Sequence, residues 1–67
     1  MNKIGRMVRQ KRKASGFTQV EAAGMCNVGV RFMSELENGK STLQIDKVLH
    51  VLQSFGLEVI IKDRADA

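Results

Sequence analysis

An all-α domain of four to five helices, closed by a short C-terminal β-strand, is the fold that this 67-residue sequence predicts. Three observations carry that expectation. Apolar residues recur at helical spacing through most of the chain. Glycines at 16, 39 and 56 stand where such runs stop, as left-handed helix ends require. Only the segment after Gly56 changes to a period of two, with Val59, Ile60 and Ile61 as three successive β-branched residues.

The elements follow in order. Asn2 is placed to cap a first helix reaching about residue 15, with Ile4, Met7 and Val8 on one face and Gly16 beyond its end. Phe17 precedes Thr18, and Glu21 follows three residues later, which is the spacing of a capping box and fixes the start of a second helix. Ala22 and Ala23 allow close helix approach there, and Cys26 is expected to be buried. A tight Asn27-Val28-Gly29 turn leads into a third helix ending at Asn38-Gly39, with Met33 and Leu36 inward and Phe32 against a neighbouring helix. Lys40 to Thr42 form a polar linker. A fourth helix from about residue 44 to 55 carries Ile45, Val48, Leu49, Leu52 and Phe55 as its apolar stripe, broadened by Val51.

The segment 57–62 poses a different problem. A lone strand leaves its backbone N–H and C=O groups without ladder partners, and no other segment reads as a strand. The partner is expected to be the same strand of a second copy, paired antiparallel about a twofold axis, with Leu57, Val59, Ile60 and Ile61 as the dimerisation residues. Small size points the same way. A chain this short buries only about 60% of its unfolded surface, and one cysteine provides neither a disulfide nor a zinc site. The expected division is 1–56 for the helical domain, 57–62 for the dimerisation strand and 63–67 for a frayed tail.

Charge narrows the function. The net charge is +4, and six of the eleven basic residues, Lys3, Arg6, Arg9, Lys11, Arg12 and Lys13, precede the first acid, Glu21. Two short helices about a tight turn, beside a basic helix, make the signature of a helix-turn-helix whose second helix enters the DNA major groove. Catalysis finds no support: the chain has no nucleophile–base pair, no glycine-rich phosphate loop and no carboxylate cluster, so it is not expected to be an enzyme. No metal or cofactor is expected, and His50 is expected in solvent or at a dimer edge. No apolar run approaches the roughly 18 residues that span a membrane, and a lone cysteine fits a reducing compartment, so a cytoplasmic, nucleoid-associated location is expected.

Arg9, Arg12-Lys13, Gly16, Thr18-Gln19, Ala23, Val28 and the run from Met33 to Lys40 resemble the Xre/Cro-type helix-turn-helix family, over roughly residues 3–56. The short four-helix body followed by Gly-Leu-Glu-Val-Ile-Ile is also similar to the HipB-type antitoxins. The first resemblance implies a lambda-repressor-like domain. In it Gln19 would touch a phosphate or the first base, Thr18 would place the start of the second helix at the backbone, and Asn38 and Lys40 would hold phosphate. It also implies an ion pair between Arg12 and Glu37, the alternative being a free phosphate-binding arginine. The second implies a homodimeric repressor of its own operon that binds a HipA-like kinase toxin.

Three departures matter. Gly29 stands where the family favours a Ser or Thr cap, Ala22 where leucine is common, and the outward face of the third helix has no glutamine pair. Side-chain chemistry then supplies the code of that face. Arg31 can take guanine O6 and N7 together, Val30 a thymine methyl, Ser34 a base or a phosphate, and Glu35 the amino group of cytosine. Arg9 and Lys13 join Thr18, Gln19, Asn38 and Lys40 as phosphate contacts. The expected target is a palindromic operator in double-stranded DNA. Two other readings stay open: a stand-alone phage-type or restriction–modification controller, and a protein-interaction module that has lost DNA binding.

Overall fold

A computed structural model describes residues 2–61 and residue 63 of the chain. Four helices run in the order α1 (Asn2–Ala14), α2 (Gln19–Cys26), α3 (Val30–Glu37) and α4 (Ile45–Ser54). α3 packs against both α1 and α2, and α4 packs against α2. The described residues thus form an all-α domain.

Each helix start and stop follows from local hydrogen bonding. At α2, the Glu21 N–H donates to Thr18 Oγ1 at 3.1 Å and the Thr18 N–H donates to Glu21 Oε1 at 2.9 Å. Two orphan donors of the first turn are satisfied reciprocally. α3 starts at Gly29 with no side-chain cap, an omission that costs only a few tenths of a kcal/mol where glycine stands.

All four helices end in one device, a left-handed residue closed by a pair of reversed bonds. Phe17 N–H reaches Arg12 O, Val28 reaches Ala23 O, Lys40 reaches Glu35 O and Leu57 reaches Leu52 O, at 2.8–3.1 Å. The left-handed residues are Gly16, Asn27, Gly39 and Gly56. Asn27, at φ 57°, fills the role in the turn between α2 and α3, where asparagine is the side chain that best tolerates that conformation. Gly39, at φ 81°, has a second reason: a Cβ there would overlap the Asn2 side chain, so the end of α3 closes directly on the start of α1.

The core comprises Val8 from α1, Ala22, Ala23 and Cys26 from α2, Met33 and Leu36 from α3, and Val48, Val51, Leu52 and Phe55 from the α4 region. Ile4, Phe17, Val28, Phe32, Leu43 and Leu57 pack on its edges. Met33 is fully buried in the same core as Ala22, and Phe17 packs at its edge. Burial raises the Cys26 thiol above its ordinary value, so it remains a protonated, packed hydrophobe.

Several expectations shift. Met7 is half-exposed rather than inward, and the α4 stripe rotates: Val51 is fully buried, whereas Ile45 and Leu49 are 60% and 44% exposed. Periodicity locates a stripe but not its centre, which is set by the packing of α4 against α2. Residues 57–61 have no regular secondary structure here. Leu57 packs on the core while Val59, Ile60 and Ile61 are exposed. Lys62, the last residue of the expected strand, and 64–67 of the expected frayed tail lie outside the described residues.

Gly5 is the position that sequence reading passes over. It is buried inside α1, and a Cβ there would overlap the carbonyl oxygen of Leu36 and lie 2.9 Å from that of Glu37. The absence of a side chain is what lets α1 seat on the last turn of α3. In an exposed helix Gly→Ala gains about 1 kcal/mol. Here Gly5→Ala is expected to lose about 2 kcal/mol, since backbone cannot move aside as a side chain can. Urea denaturation measures it, and a raised midpoint would contradict the close approach.

Candidate nucleic-acid interface

α3 divides into two faces. Met33, Leu36 and Glu37 are buried and Phe32 is half-buried, whereas Val30, Arg31 and Asn38 are exposed and Ser34 and Glu35 half-exposed. At roughly 100° per residue the second group spans an arc of about 140°. Phe32 belongs to the inward side: it lines a cleft with Asn27, Val28 and Gly29 of the turn and Asp46, Lys47 and His50 of α4. His50 is exposed at that cleft.

One buried ion pair anchors the end of α3 to α1. Arg12 Nε donates to Glu37 Oε2 at 2.6 Å and Arg12 Nη2 to Glu37 Oε1 at 3.0 Å, a two-pronged pairing whose side chains are only 9% and 2% exposed. The third guanidinium nitrogen, Nη1, donates to the Phe17 carbonyl at 2.8 Å. Gln19 Nε2 then donates to Glu37 Oε1 at 3.2 Å. One arginine therefore ties the end of α1, the α1–α2 corner and the end of α3, and its partner carboxylate also holds the first residue of α2. No buried polar side-chain atom among the described residues lacks a partner.

These contacts fix the charge states. Burial pushes the Glu37 carboxyl up, but the hydrogen bonds from Arg12 and Gln19, with the charges of Arg12 and Arg9, hold it below its ordinary value. The Glu37 hydrogen bond raises Arg12 further, so it is protonated throughout.

The remaining site residues sort by exposure. Arg9, Lys13, Thr18, Asn38 and Lys40 are exposed and Gln19 is half-buried. Thr18 Oγ1 accepts the Glu21 N–H, and its own N–H is used by Glu21, so the capping box leaves the N–H groups of Gln19 and Val20 at the start of α2. Arg31 has 89% of its side chain exposed, with Nε 3.9 Å from Glu35 Oε1. Lys40 Nζ lies 2.6 Å from Glu35 Oε2. Glu35 is thus already engaged by two cations, which sequence reading had assigned separately to base and phosphate. The Lys40 hydrogen bond holds its carboxyl below the ordinary value against a small opposing effect of burial.

Two short helices about a left-handed Asn27 turn, with an exposed polar face on the second and cations on both flanks, define a helix-turn-helix protein. Comparison with known proteins agrees. The profile of the helix-turn-helix family matches residues 8–60. A curated protein of Sinorhizobium fredii (strain NBRC 101917 / NGR234), described as an uncharacterized HTH-type transcriptional regulator y4mF, is 50% identical over 58 residues, covering 87% of this chain and 76% of that one. A solved structure described as an MDT protein superimposes with a TM-score of 0.79 over 94% of this chain and 89% of its own, at 22% identity, a likeness of fold alone. The chain belongs to the Xre-type helix-turn-helix family, whose members are DNA-binding transcriptional regulators. No helix among the described residues is long and apolar enough to cross a membrane.

The buried pair has a measurable pH signature. A folded carboxyl held below its unfolded value of about 4.3 contributes stability that is complete above that value and lost as pH falls through the folded one. Wild-type stability is therefore expected to fall as pH drops below about 5. Glu37→Gln should be less stable at neutral pH and flatter in that window. Arg12→Met, which leaves a buried carboxylate unpaired, should cost about 3–5 kcal/mol at neutral pH. Thermal melts across the acid range read both, and a Glu37→Gln profile parallel to wild type would refute the assignment.

Proposed function

We propose that this chain is a sequence-specific transcriptional repressor that acts as a homodimer on a palindromic operator. The observation that carries the reading is the exposed face of α3, with Val30, Arg31, Ser34 and Glu35 turned outward and Arg9, Lys13, Asn38 and Lys40 exposed beside it. Phosphate contacts from Arg9, Lys13, Thr18, Gln19, Asn38 and Lys40 position the protein, and the α3 side chains read bases. Two α3 helices related by a twofold axis would sit roughly 34 Å apart, one turn of DNA. The relative from Sinorhizobium fredii, described as a transcriptional regulator, supports the regulatory role.

The dimer is assigned to the C-terminal segment. Val59, Ile60 and Ile61 are 52%, 74% and 90% exposed, a run of β-branched residues left open by the described residues and with the composition of a pairing strand. Leu57 serves the body instead, since its N–H closes the end of α4 and its side chain packs on the core. The division of the chain is accordingly a DNA-binding body to 56, completed by Leu57, and a dimerisation segment after it. The finer role is that of a HipB-like antitoxin, repressing its own operon from the nucleoid and holding a HipA-like kinase toxin, with toxin binding tightening operator occupancy through added valency. Its support is the likeness of the short four-helix body followed by Gly-Leu-Glu-Val-Ile-Ile, residues 56–61, to that group.

Three outcomes test the reading. With two copies of Arg9, Lys13 and Lys40 at phosphates, operator affinity should fall about a thousandfold between low and moderate salt, and a salt-independent isotherm would leave only an interaction module. Arg31→Ala should cost about 1–3 kcal/mol on the operator and relax preference at one base, whereas unchanged discrimination removes Arg31 from the reading set. A chain ending at Glu58 keeps Leu57 and should be monomeric at micromolar concentration by light scattering; persistent dimer would place the interface elsewhere. Repression that needs no co-expressed kinase-type partner, with no complex formed, would make the chain a stand-alone regulator.

A further inference from the structure

Glu35 occupies an unusual place for a residue on a DNA-facing helix. Its carboxylate holds Lys40 at 2.6 Å through one oxygen and faces Arg31 at 3.9 Å through the other. The backbone enforces the first contact: the turn at Gly39 brings the Lys40 N–H onto the Glu35 carbonyl at 3.1 Å, so the lysine side chain starts one turn from the carboxylate it binds. The hydrogen bond also keeps Glu35 ionised. The pairs are exposed, with 47% of the Lys40 and 89% of the Arg31 side chain open to solvent, and such pairs add little to fold stability. Their place on the face proposed to meet DNA makes binding the property to examine.

We propose that Glu35 is a specificity gate against non-target DNA. This rests on the DNA-binding reading above. In the free protein Glu35 occupies the two cations that any duplex would attract. A phosphate can recruit Lys40, and a base Arg31, only by breaking those pairs and leaving an unpaired carboxylate against a polyanion. Non-target duplex offers that carboxylate nothing. A target with cytosine opposite Glu35 offers its N4 amino group, an acceptor-seeking donor in the major groove. The same residue therefore penalises binding everywhere and removes the penalty at one base, which is how discrimination arises from a repulsive element.

The test uses the full chain and a short mixed-sequence duplex, and needs no knowledge of the operator. Glu35→Gln keeps the shape and removes the charge. It should bind non-target duplex several-fold more tightly, with a salt dependence steeper by about one counterion per protomer as Lys40 becomes available, and with an unchanged melting temperature. Glu35→Gln with Lys40→Gln should return the slope to the wild-type value or below. Asp46→Asn makes the same charge change on α4, outside the α3 face and the dimerisation segment, and should leave the slope unaltered. Wild-type affinity and slope in Glu35→Gln, or an equal gain in Asp46→Asn, would overturn the gate while leaving DNA binding intact. A wild-type chain that binds no duplex at low salt would overturn the DNA reading and the gate together.

Discussion

The Arg12–Glu37 pair is the contact on which the placement of the recognition helix depends. Helices of eight residues have little stability of their own, and their mutual angle must come from elsewhere. Apolar burial brings α2 and α3 together without prescribing direction, because the hydrophobic effect is non-directional. A planar guanidinium using three nitrogens on a carboxylate and a carbonyl does prescribe direction. It fixes the end of α3 to the end of α1 and to the α1–α2 corner, and through Gln19 to the start of α2. Glycine at position 5 makes the same junction possible from the steric side, since a Cβ there would meet the carbonyls of Leu36 and Glu37 and hold α1 away from the end of α3.

That geometry also explains the economy of the surface. Once the inward residues of α3 are committed to core and ion pair, the outward arc is free to carry chemistry, and nothing in the core needs Val30, Arg31, Ser34 or Glu35. The outward arc can therefore change without disturbing the fold. On the proposed gate it carries repulsion as well as attraction, because one carboxylate pairs with both Lys40 and Arg31.

How much of this the sequence disclosed depended on the range of each interaction. The capping box at Thr18 and Glu21 and the left-handed stops at Gly16, Gly39 and Gly56 are made between near neighbours, so residue spacing alone predicts them. Burial of Met33, Leu36 and Cys26 follows from periodicity. The role of Gly5 does not, because its reason lies in carbonyls of Leu36 and Glu37 far along the chain. The same limit hid the centre of the α4 stripe, where Val51 is core and Ile45 and Leu49 are exposed, and the hold of Lys40 on Glu35, which requires the turn at Gly39. Gln19 shows the same limit, since its hydrogen bond to Glu37 joins residues eighteen apart in the chain. The 57–61 segment marks another boundary: alternation suggests a strand, but a strand exists only with a partner, which lies outside a single chain.

The most direct test of the central claim replaces the pair with apolar residues of similar size and measures DNA binding. Arg12→Met combined with Glu37→Leu keeps the net charge of the chain and removes the desolvated ions together, so it should fold with stability near or above wild type. If the pair sets the direction of α3 and holds Gln19, duplex affinity at fixed salt should fall by about tenfold or more, a loss of roughly 1.4 kcal/mol. A well-folded double variant that binds duplex as tightly as wild type would contradict the account, because packing alone would then suffice to aim the recognition helix.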